Sequence, residues 1–519
     1  MERKRVLWAD DEIEMLRPHI LFLEDRGYDV TAVTNGEDAI AQVHRGSFDV
    51  ILLDEHMSGM GGIVTFSEIK ALRPGISTIM ITKSEEETLM EEAIGQQIDD
   101  FLTKPVNPSQ ILLALKKLTE SSKINRDRIA KDYLAQFNQI STLVSMGATW
   151  EEWIDVHVKL SSWDIELDRF PDLGLNDVIQ DQKRQCNAEF VRFVEDHYLD
   201  WINTEDGPVL SPGIATNFLA TPLKQGRNVL FIVIDCLRMD QYLAIEPLLA
   251  ELFDVRREYH YSILPTSTPY SRNAIFSGLY PRELEQQYPD LWKRGEDDES
   301  SSNRYEHQLL DQQLQRLGVT LKSDSKYVKI LDLEEADSVE RKVSTYFNQS
   351  LVSMVFNFVD ILAHARSDSD VIKEMVRNEA SYRAVTRSWF EHSSLYNILR
   401  AFANQDTMIV LTSDHGSIKT YRNTKVISDK DASTNLRYKH GRNLKCDDKH
   451  ALCIRNPQDF KLPNRGINID YIIAKEDYYF VYPTNYNKYV NLYKNSFQHG
   501  GISLEEMILP VAILNPKQR

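Results

Sequence analysis

The chain has 519 residues, which is too long for one hydrophobic core and predicts about three domains. It carries 60 basic and 78 acidic residues, and the net charge of −18 at pH 7 argues against non-specific coating of nucleic acid. Four cysteines without a Cys-x-x-Cys pair argue against a disulfide scaffold and a cysteine-based zinc site. No apolar run reaches the length of a signal peptide or a membrane helix, so we expect a cytoplasmic protein.

Residues 1–118 alternate short apolar segments with helical patterns, which predicts a (βα)5 domain around a parallel sheet. The predicted strands are Arg5–Ala9, Asp29–Val33, Val50–Asp54, Ser77–Thr82 and Asp100–Thr103. Residues 119–208 carry no strand pattern and predict a helical bundle or linker. Its predicted helices are Lys123–Val144, Trp150–Asp168 and Asp177–Trp201.

Turn residues are concentrated in Asn203–Gly213 and mark a domain boundary. Residues 209–519 then predict a larger α/β domain, so the fold class of the whole chain is α/β. Its strongest predicted strands are Val229–Ile234, Leu351–Phe358 and Thr407–Thr412. The acidic, serine-rich run Glu296–Ser302 is typical of a solvated loop.

Three aspartates follow strands of the first predicted sheet. Asp10 and Asp11 come at the end of the first strand, and Asp54 ends the third. Functional groups gather beyond the carboxyl ends of parallel strands, so we expect these carboxylates to converge. A hard dication such as Mg²⁺ would relieve their repulsion, and Asp54 could then attack a phosphorus atom.

Three further residues lie at the same predicted edge. Lys104 follows the fifth strand and offers a point charge for phosphoryl oxygens. Thr82 ends the fourth strand and could bind a phosphoryl oxygen. Such a bond would pass the change on to Phe101, which makes these residues a candidate switch.

These positions together resemble the receiver domain of two-component response regulators. The resemblance implies phosphorylation of Asp54 by a sensor histidine kinase and a Mg²⁺ ion on Asp11, Asp54 and the backbone carbonyl near His56, with Asp10 assisting. It also implies a cis peptide bond before Pro105.

Two residues depart from the receiver pattern. Ser58 stands where the family has proline, and Lys83 stands where it has a small residue. The alternative is a receiver that keeps the acidic residues but signals without phosphate.

The C-terminal region places a second set of acids and histidines after predicted strands. The set comprises Asp235, Asp360, His364, Asp414, His415 and His499. Mixed oxygen and nitrogen ligands suit Zn²⁺, with Mn²⁺ as the alternative. Six ligands are enough for two metals, which can clamp the attacking and leaving oxygens of a phosphoryl displacement. The hydroxyls of Thr266, Thr268 and Ser271 are candidate nucleophiles.

This ordered set resembles the alkaline-phosphatase superfamily over residues 225–515. The resemblance implies that Asp235, Asp414 and His415 hold the metal that also binds the nucleophile, and that the other three ligands hold the second. The family's spacing to Ser277-Gly278 and to Arg272 favours Thr268 as nucleophile, with Thr266 as runner-up. The same spacing makes Arg272 the second candidate catalytic residue. A threonine disfavours a sulfatase, because it cannot form the aldehyde that sulfatases require.

A basic stretch, residues 432–446, lies between the last metal motifs and contains no acid. Arg437, Lys439, Arg442 and Lys445 could hold further phosphates of an oligonucleotide, and Tyr438 could stack on a base. The alternative is an ordinary solvated loop.

The whole chain resembles the PglZ-domain response regulators that control type IX secretion in Bacteroidetes. The resemblance implies homodimerisation on phosphorylation, an extracytoplasmic-function sigma factor as partner, and a zinc phosphodiesterase acting on oligonucleotides. A second hypothesis is a signalling adaptor, whose phosphatase-like domain is a metal-stabilised, non-catalytic platform for the sigma factor.

Overall fold

A computed structural model of the chain describes residues 3–73, 75–83, 98–292, 303–428, 433, 435–463, 466, 468–484 and 486–517. The chain divides into two units, Met1–Ala135 and Gln136–Arg519. The predicted acidic loop Glu296–Ser302 lies outside the described residues.

The N-terminal unit is built on a parallel sheet. Its strands are β1 (Lys4–Ala9), β2 (Tyr28–Val33), β3 (Val50–Asp54), β4 (Ser77–Thr82) and β5 (Asp100–Thr103). They lie in the order β2-β1-β3-β4-β5, with every neighbouring pair parallel. All five strands were predicted, and each boundary agrees within one residue. Every residue of β3 is buried, as expected of a strand covered by helices on both faces.

The α-helices in the described residues of this unit are Arg17–Glu24, Gly36–Arg45 and Gly62–Leu72. The long helix Pro108–Met146 begins in this unit, and its last residues belong to the second unit. The predicted separate helix Lys123–Val144 was wrong at its start, because the long helix is continuous from Pro108. No glycine or proline occurs between Pro108 and Gly147, so nothing in the sequence ends the helix earlier. Gly147, with φ of 89°, follows its last turn.

Two helices open the second unit, Trp150–Asp168 and Asn176–Asn203, close to their predicted bounds. Thr149 and Glu152 form a reciprocal capping box at the start of the first. Both helices pack onto a face of the central sheet, because Trp153 and Phe190 belong to the same hydrophobic cluster as sheet residues. The linker helices therefore share a core with the C-terminal domain.

The central sheet of the second unit has six strands. They are β6 (Asn228–Ile234), β7 (Phe253–Tyr261), β8 (Lys326–Ile330), β9 (Leu351–Phe356), β10 (Thr407–Thr412) and β18 (Ile508–Pro516). Their order is β7-β18-β10-β6-β9-β8. Side chains of β6 alternate between two cores: Leu230 and Ile232 join the core of the linker helices, whereas Val229 and Phe231 join the core on the opposite face.

Strand direction brings five segments to one edge of this sheet. Strands β10, β6, β9 and β8 are parallel, and β18 runs antiparallel between β10 and β7. The carboxyl ends of β6, β7, β9 and β10 and the amino end of β18 therefore lie at the same edge. The predicted metal ligands and the candidate nucleophiles all belong to segments beside these five ends.

The described part of the second unit also contains smaller sheets and further helices. The remaining strands are β11 (Ile418–Lys419), β12 (Arg422–Lys425), β13 (Tyr438–Gly441), β14 (Ala451–Ile454), β15 (Asp470–Ala474), β16 (Tyr478–Val481) and β17 (Phe497–Gln498). They pair as β11-β17, β12-β16 and β13-β15-β14. The remaining α-helices are Ala220–Lys224, Met239–Leu252, Thr268–Ser277, Pro281–Gln287, Glu306–Arg316, Leu333–Arg341, Phe358–Asp368, Asp370–Met375, Glu379–Glu391, Ser394–Phe402, Tyr486–Tyr493 and Leu504–Met507. Within the described part of the chain, no helix combines the length and apolarity needed to cross a membrane.

Two buried histidines make the stability of the second unit depend on pH. Burial lowers the pKa of His157 and of His260 to about 4. The unfolded chain binds these protons at about pH 6.5. The contribution of these two histidines to the unfolding free energy is therefore fully present above pH 6.5. It is lost as the pH falls towards 4, because the unfolded chain then binds protons that the folded chain does not.

We predict that lowering the pH from 6.5 to 5 removes roughly 2 kcal/mol of unfolding free energy per histidine. The variant His157→Leu should lose less stability over this range than the unaltered chain. Urea unfolding followed by tryptophan fluorescence at both pH values measures the difference. Equal losses in the two proteins would contradict the assignment.

Candidate functional sites

Three carboxylates of the N-terminal unit converge where β1 and β3 end. Asp10, Asp11 and Asp54 each offer an oxygen within 4.8 Å of the others. Asp10 and Asp54 are buried, whereas Asp11 is exposed and accepts a hydrogen bond from the Ser58 N–H at 3.2 Å. Because β1 and β3 are adjacent and parallel, the predicted convergence follows from strand order.

Lys104 supplies the counter-charge in this cluster. Its Nζ donates to Asp54 Oδ2 at 2.8 Å and to Asp10 Oδ2 at 3.1 Å. Burial raises the pKa of Asp54 above its ordinary value, although the Lys104 hydrogen bond opposes the rise. The buried Asp54 Oδ1 has no hydrogen-bond partner among the described residues. An acidic site with a free buried oxygen fits a bound Mg²⁺ ion and a phosphoryl acceptor.

The other predicted residues of this site lie around the same edge. Thr82 ends β4, and its carbonyl accepts the Lys104 N–H at 2.7 Å. Phe101 lies half-buried in β5, paired in register with Met80. His56 lies two residues after Asp54, and its side chain is exposed. The Lys104–Pro105 peptide bond is cis, as the resemblance implied.

The second unit holds two ligand clusters, of which the first lies between β6 and β10. Asp235, Asp414 and His415 are fully buried, and each offers a ligand atom within 4.8 Å of the others. His415 Nε2 lies 3.6 Å from Asp235 Oδ1. Thr268 lies at this cluster, because its Oγ1 is 3.0 Å from His415 Nε2 and 3.4 Å from Asp235 Oδ1.

The second cluster joins Asp360, His364 and His499. His364 Nε2 lies 3.3 Å from Asp360 Oδ1 and 3.1 Å from His499 Nε2. The predicted strand Leu351–Phe358 was too long, because β9 ends at Phe356 and Asp360 belongs to helix Phe358–Asp368. Positions i and i+4 share one helix face, and this spacing brings Asp360 and His364 together.

The two clusters are neighbours. The rings of His415 and His499 stack with centroids 4.3 Å apart. Burial, reinforced by repulsion from Asp235, raises the pKa of Asp414 to about 7. The buried Oδ2 of Asp414 and Oδ1 of Asp360 accept no hydrogen bond from the described residues. Buried carboxylates with open acceptor positions beside imidazole nitrogens fit two adjacent divalent metals.

The three candidate nucleophiles differ in the hydrogen-bond partners of their hydroxyl groups. The Thr266 hydroxyl donates to the Gly501 carbonyl at 2.7 Å and accepts the Gly500 N–H at 3.2 Å. The Ser271 hydroxyl is 2.7 Å from that of Ser262. Of the three, the Thr268 hydroxyl contacts two predicted metal ligands, Asp235 and His415.

Arg272, the second predicted catalytic residue, lies buried against the ligand Asp235. Its side chain is 1% exposed and its guanidinium is paired with Asp235 and Glu306. Glu306 also accepts hydrogen bonds from Asn303 and Tyr327. Arg272 therefore positions the ligand Asp235 instead of facing the substrate side.

Sequence analysis missed Glu306, Asn303 and Tyr327. Glu306 did leave a signal, because it begins the helical stripe that continues through Leu309, Leu310, Gln313 and Leu314, all of them buried. An acid on the buried face of a helix requires a charged partner inside the protein.

The predicted basic loop is wrong for two of its four cations. Arg437 is 0% exposed and pairs with the equally buried Glu506. Lys439 is 1% exposed, and its Nζ donates to the carbonyls of Ser433 and Asn435. These two side chains pair with buried acceptors inside the protein, so they are not available to bind a substrate. The remaining two cations of the predicted loop, Arg442 and Lys445, are exposed.

Three protein families match consecutive parts of the chain. Residues 6–116 match the response regulator receiver domain, and residues 123–202 match the PorX response regulator linker domain. Residues 217–514, more than half of the chain, match the BREX system PglZ alkaline phosphatase-like domain. The three matches agree with the predicted receiver, linker and phosphatase-like architecture.

Individual relatives match the N-terminal region. The transcriptional regulatory protein ZraR of Salmonella typhimurium is 30% identical over 141 residues, covering 27% of this chain and 32% of ZraR. The transcriptional regulatory protein ResD of Bacillus subtilis is 30% identical over 141 residues, covering 26% of this chain and 58% of ResD. The chain therefore spans about a third of the length of ZraR and less than two thirds of the length of ResD.

Among solved structures, a CheY-like receiver domain protein from Methanospirillum hungatei is 30% identical, with a TM-score of 0.23. The match covers 23% of this chain and 98% of that one. The chemotaxis protein CheY4 of Vibrio cholerae is 26% identical, with a TM-score of 0.22, and covers 22% of this chain and 98% of its own. The chain therefore belongs to the PglZ alkaline-phosphatase-like family and carries an N-terminal response regulator receiver domain.

Proposed function

We propose that the PglZ domain is a zinc-dependent phosphodiesterase that acts on oligonucleotides and is controlled by phosphorylation of Asp54. The observation that carries this proposal is the position of the Thr268 hydroxyl, 3.0 Å from His415 Nε2 at the edge of two adjoining ligand clusters. In this proposal the chain has three domains: a receiver at 1–118, a helical linker at 119–208 and the PglZ domain at 209–519.

Asp235, Asp414 and His415 would hold one metal, and Asp360, His364 and His499 the other. Zn²⁺ or Mn²⁺ at these positions supplies positive charge that stabilises the transition state of phosphoryl transfer. The ion pair with Arg272 holds the Asp235 carboxylate in place.

Thr268 acts as the nucleophile in this mechanism. Its oxygen forms a bond to phosphorus while the bond from phosphorus to the leaving alkoxide breaks, and the hydroxyl proton passes to solvent. Water then attacks the phosphothreonine, releases the phosphomonoester and restores the hydroxyl. Thr268 is the first residue of its helix, so the positive end of the helix dipole faces the negative charge of the phosphate.

In the receiver, Asp54 would accept a phosphoryl group from a sensor histidine kinase. Asp10, Asp11, Asp54 and the His56 carbonyl would hold Mg²⁺, and Lys104 would bind a phosphoryl oxygen. Thr82 and Phe101 would then change position as the switch.

The match to the PorX linker domain supports a proposal about the wider role of the protein. We propose a cytoplasmic regulator of type IX secretion that forms a homodimer on phosphorylation and binds an extracytoplasmic-function sigma factor. Exposed Arg442 and Lys445 remain candidates for contacts to further phosphates of the substrate.

Replacing the nucleophile is the direct test of catalysis. Thr268→Ala should lower the turnover of bis-p-nitrophenyl phosphate by zinc-loaded protein on the order of 10³-fold or more. Ser271→Ala, which removes a neighbouring buried hydroxyl, serves as the matched control and should retain activity. Full turnover in Thr268→Ala would refute the mechanism, and no turnover by the zinc-loaded unaltered chain would favour the adaptor hypothesis.

Metal stoichiometry tests the two clusters separately. The unaltered chain should retain two zinc ions after dialysis, and Asp235→Ala and Asp360→Ala should each retain one, because each variant loses a ligand of a different cluster. Inductively coupled plasma mass spectrometry gives the count. Asp254→Ala, an exposed acid on β7, is the control. Two ions in either ligand variant would contradict the assignment.

Phosphorylation is tested with an acyl-phosphate donor and Mg²⁺. The unaltered chain should gain one phosphate by intact mass, and Asp54→Asn should gain none because its amide is not nucleophilic. Diesterase activity should change with the donor only in the unaltered chain. The same response in Asp54→Asn would contradict control through this residue.

A further inference from the structure

The second linker helix, Asn176–Asn203, buries the polar side chains of Lys183 and Asn187 one turn apart. Lys183 and Asn187 are 7% and 4% exposed. Lys183 Nζ lies 2.8 Å from Glu379 Oε2, 3.2 Å from Asp164 Oδ2 and 3.6 Å from Glu505 Oε1. Buried polar groups of this kind require complete pairing.

Asn187 makes two directed hydrogen bonds to the segment Leu504–Glu506. Its Oδ1 accepts the Leu504 N–H at 2.8 Å, and its Nδ2 donates to Glu505 Oε2 at 2.9 Å. A carboxamide satisfies both partners, because one end accepts and the other donates. The linker thus contacts the backbone and the side chain of this segment at the same time.

The segment Leu504–Glu506 supports the residues that follow one histidine of each ligand cluster. Gly416, directly after His415, donates its N–H to the Glu506 carbonyl at 3.1 Å. A Cβ at Gly416 would lie 1.9 Å from the Glu505 carbonyl oxygen, so the two backbones are in close contact. Gly501, two residues after His499, donates its N–H to Glu506 Oε1 at 2.8 Å.

Two different parts of the chain hold this segment. Glu506 pairs with Arg437 of the PglZ domain. Glu505 is 4% exposed, and its side chain contacts Asn187 and Lys183 of the linker. A buried carboxylate without such partners is strongly destabilising. The linker therefore supplies contacts that the PglZ domain does not replace at Glu505.

We propose that Asn187 is a positioning residue for the metal centre. By binding Leu504 and Glu505, it fixes the position of the two segments that carry His415 and His499. Each of these histidines is a ligand of a different cluster. The proposal rests on the metal clusters of the proposed function. It makes the linker a structural part of the phosphatase-like site.

The test compares Asn187→Ala, Asn187→Asp and the exchanged pair Asn187→Asp with Glu505→Gln in the full-length chain. In the exchanged pair, the carboxylate at position 187 still accepts the Leu504 N–H. The amide at position 505 donates to that carboxylate, so the bond between the two side chains is kept with donor and acceptor exchanged. Asn203→Ala is the matched control, because Asn203 is exposed on the same helix. The readouts are zinc affinity by chelator competition, thermal unfolding of the metal-free protein, and KM and kcat for bis-p-nitrophenyl phosphate.

We expect Asn187→Ala to weaken zinc binding about tenfold, the lower end of the effect of residues that orient metal ligands. Asn187→Asp should weaken it more, because two carboxylates then face each other, and the exchanged pair should recover most of the loss. Asn203→Ala should bind zinc as the unaltered chain does.

Unchanged zinc affinity in Asn187→Ala would overturn the proposal, whatever happens to its thermal stability. If that variant fails to fold, failure of the exchanged pair to improve on Asn187→Asp is the overturning result. An unaltered chain that binds zinc but hydrolyses nothing would refute the phosphodiesterase and leave the role of Asn187 intact.

Discussion

A buried network of charged side chains holds the second unit together. Its cations are Lys183, Arg238 and Arg383, and its anions are Asp164, Asp240, Glu379 and Glu505. Burial alone lowers the pKa of Lys183, but the surrounding carboxylates hold that pKa above its ordinary value. Removing charges from water is expensive unless every partner is present. Because the pairs cross between the linker helices and the PglZ domain, neither part satisfies its charges without the other, and the two form one unit.

Both functional sites concentrate carboxylates, and the chain balances that charge differently in each. In the receiver, Lys104 lies against two of the three acids, which leaves an open oxygen on Asp54. In the PglZ domain, Arg272 contacts Asp235 from the buried side. Burial and mutual repulsion still hold the pKa of Asp414 at about 7. The remaining negative charge is what attracts a dication, so the cost of assembling the acids becomes binding energy for metals.

The parts of the fold that could be predicted from sequence share one property. Each is determined by the pattern of residues that are neighbours along the chain. The receiver strands are apolar runs bounded by turn residues, and all five were found. The long helix Pro108–Met146 was divided wrongly, because a change in predicted domain was treated as a helix break although no breaker residue is present. Arg437 and Lys439 were predicted to contact substrate phosphates because the stretch 432–446 is basic and contains no acid. Their burial depends on acceptors that the folded chain supplies, such as Glu506 for Arg437 and the Ser433 carbonyl for Lys439.

The sequence by itself determined the order of the elements, the two sets of acids and histidines, and their position at strand ends, since each of these is a local pattern. Tertiary structure decided which hydroxyl contacts the ligand clusters, because Thr266, Thr268 and Ser271 differ only in what distant segments bring beside them. It also decided that Arg272 contacts Asp235 and Glu306, and that Asn187 supports the segment after His499. These pairings join residues up to 318 positions apart, and no pattern along the chain records a contact made across a folded core.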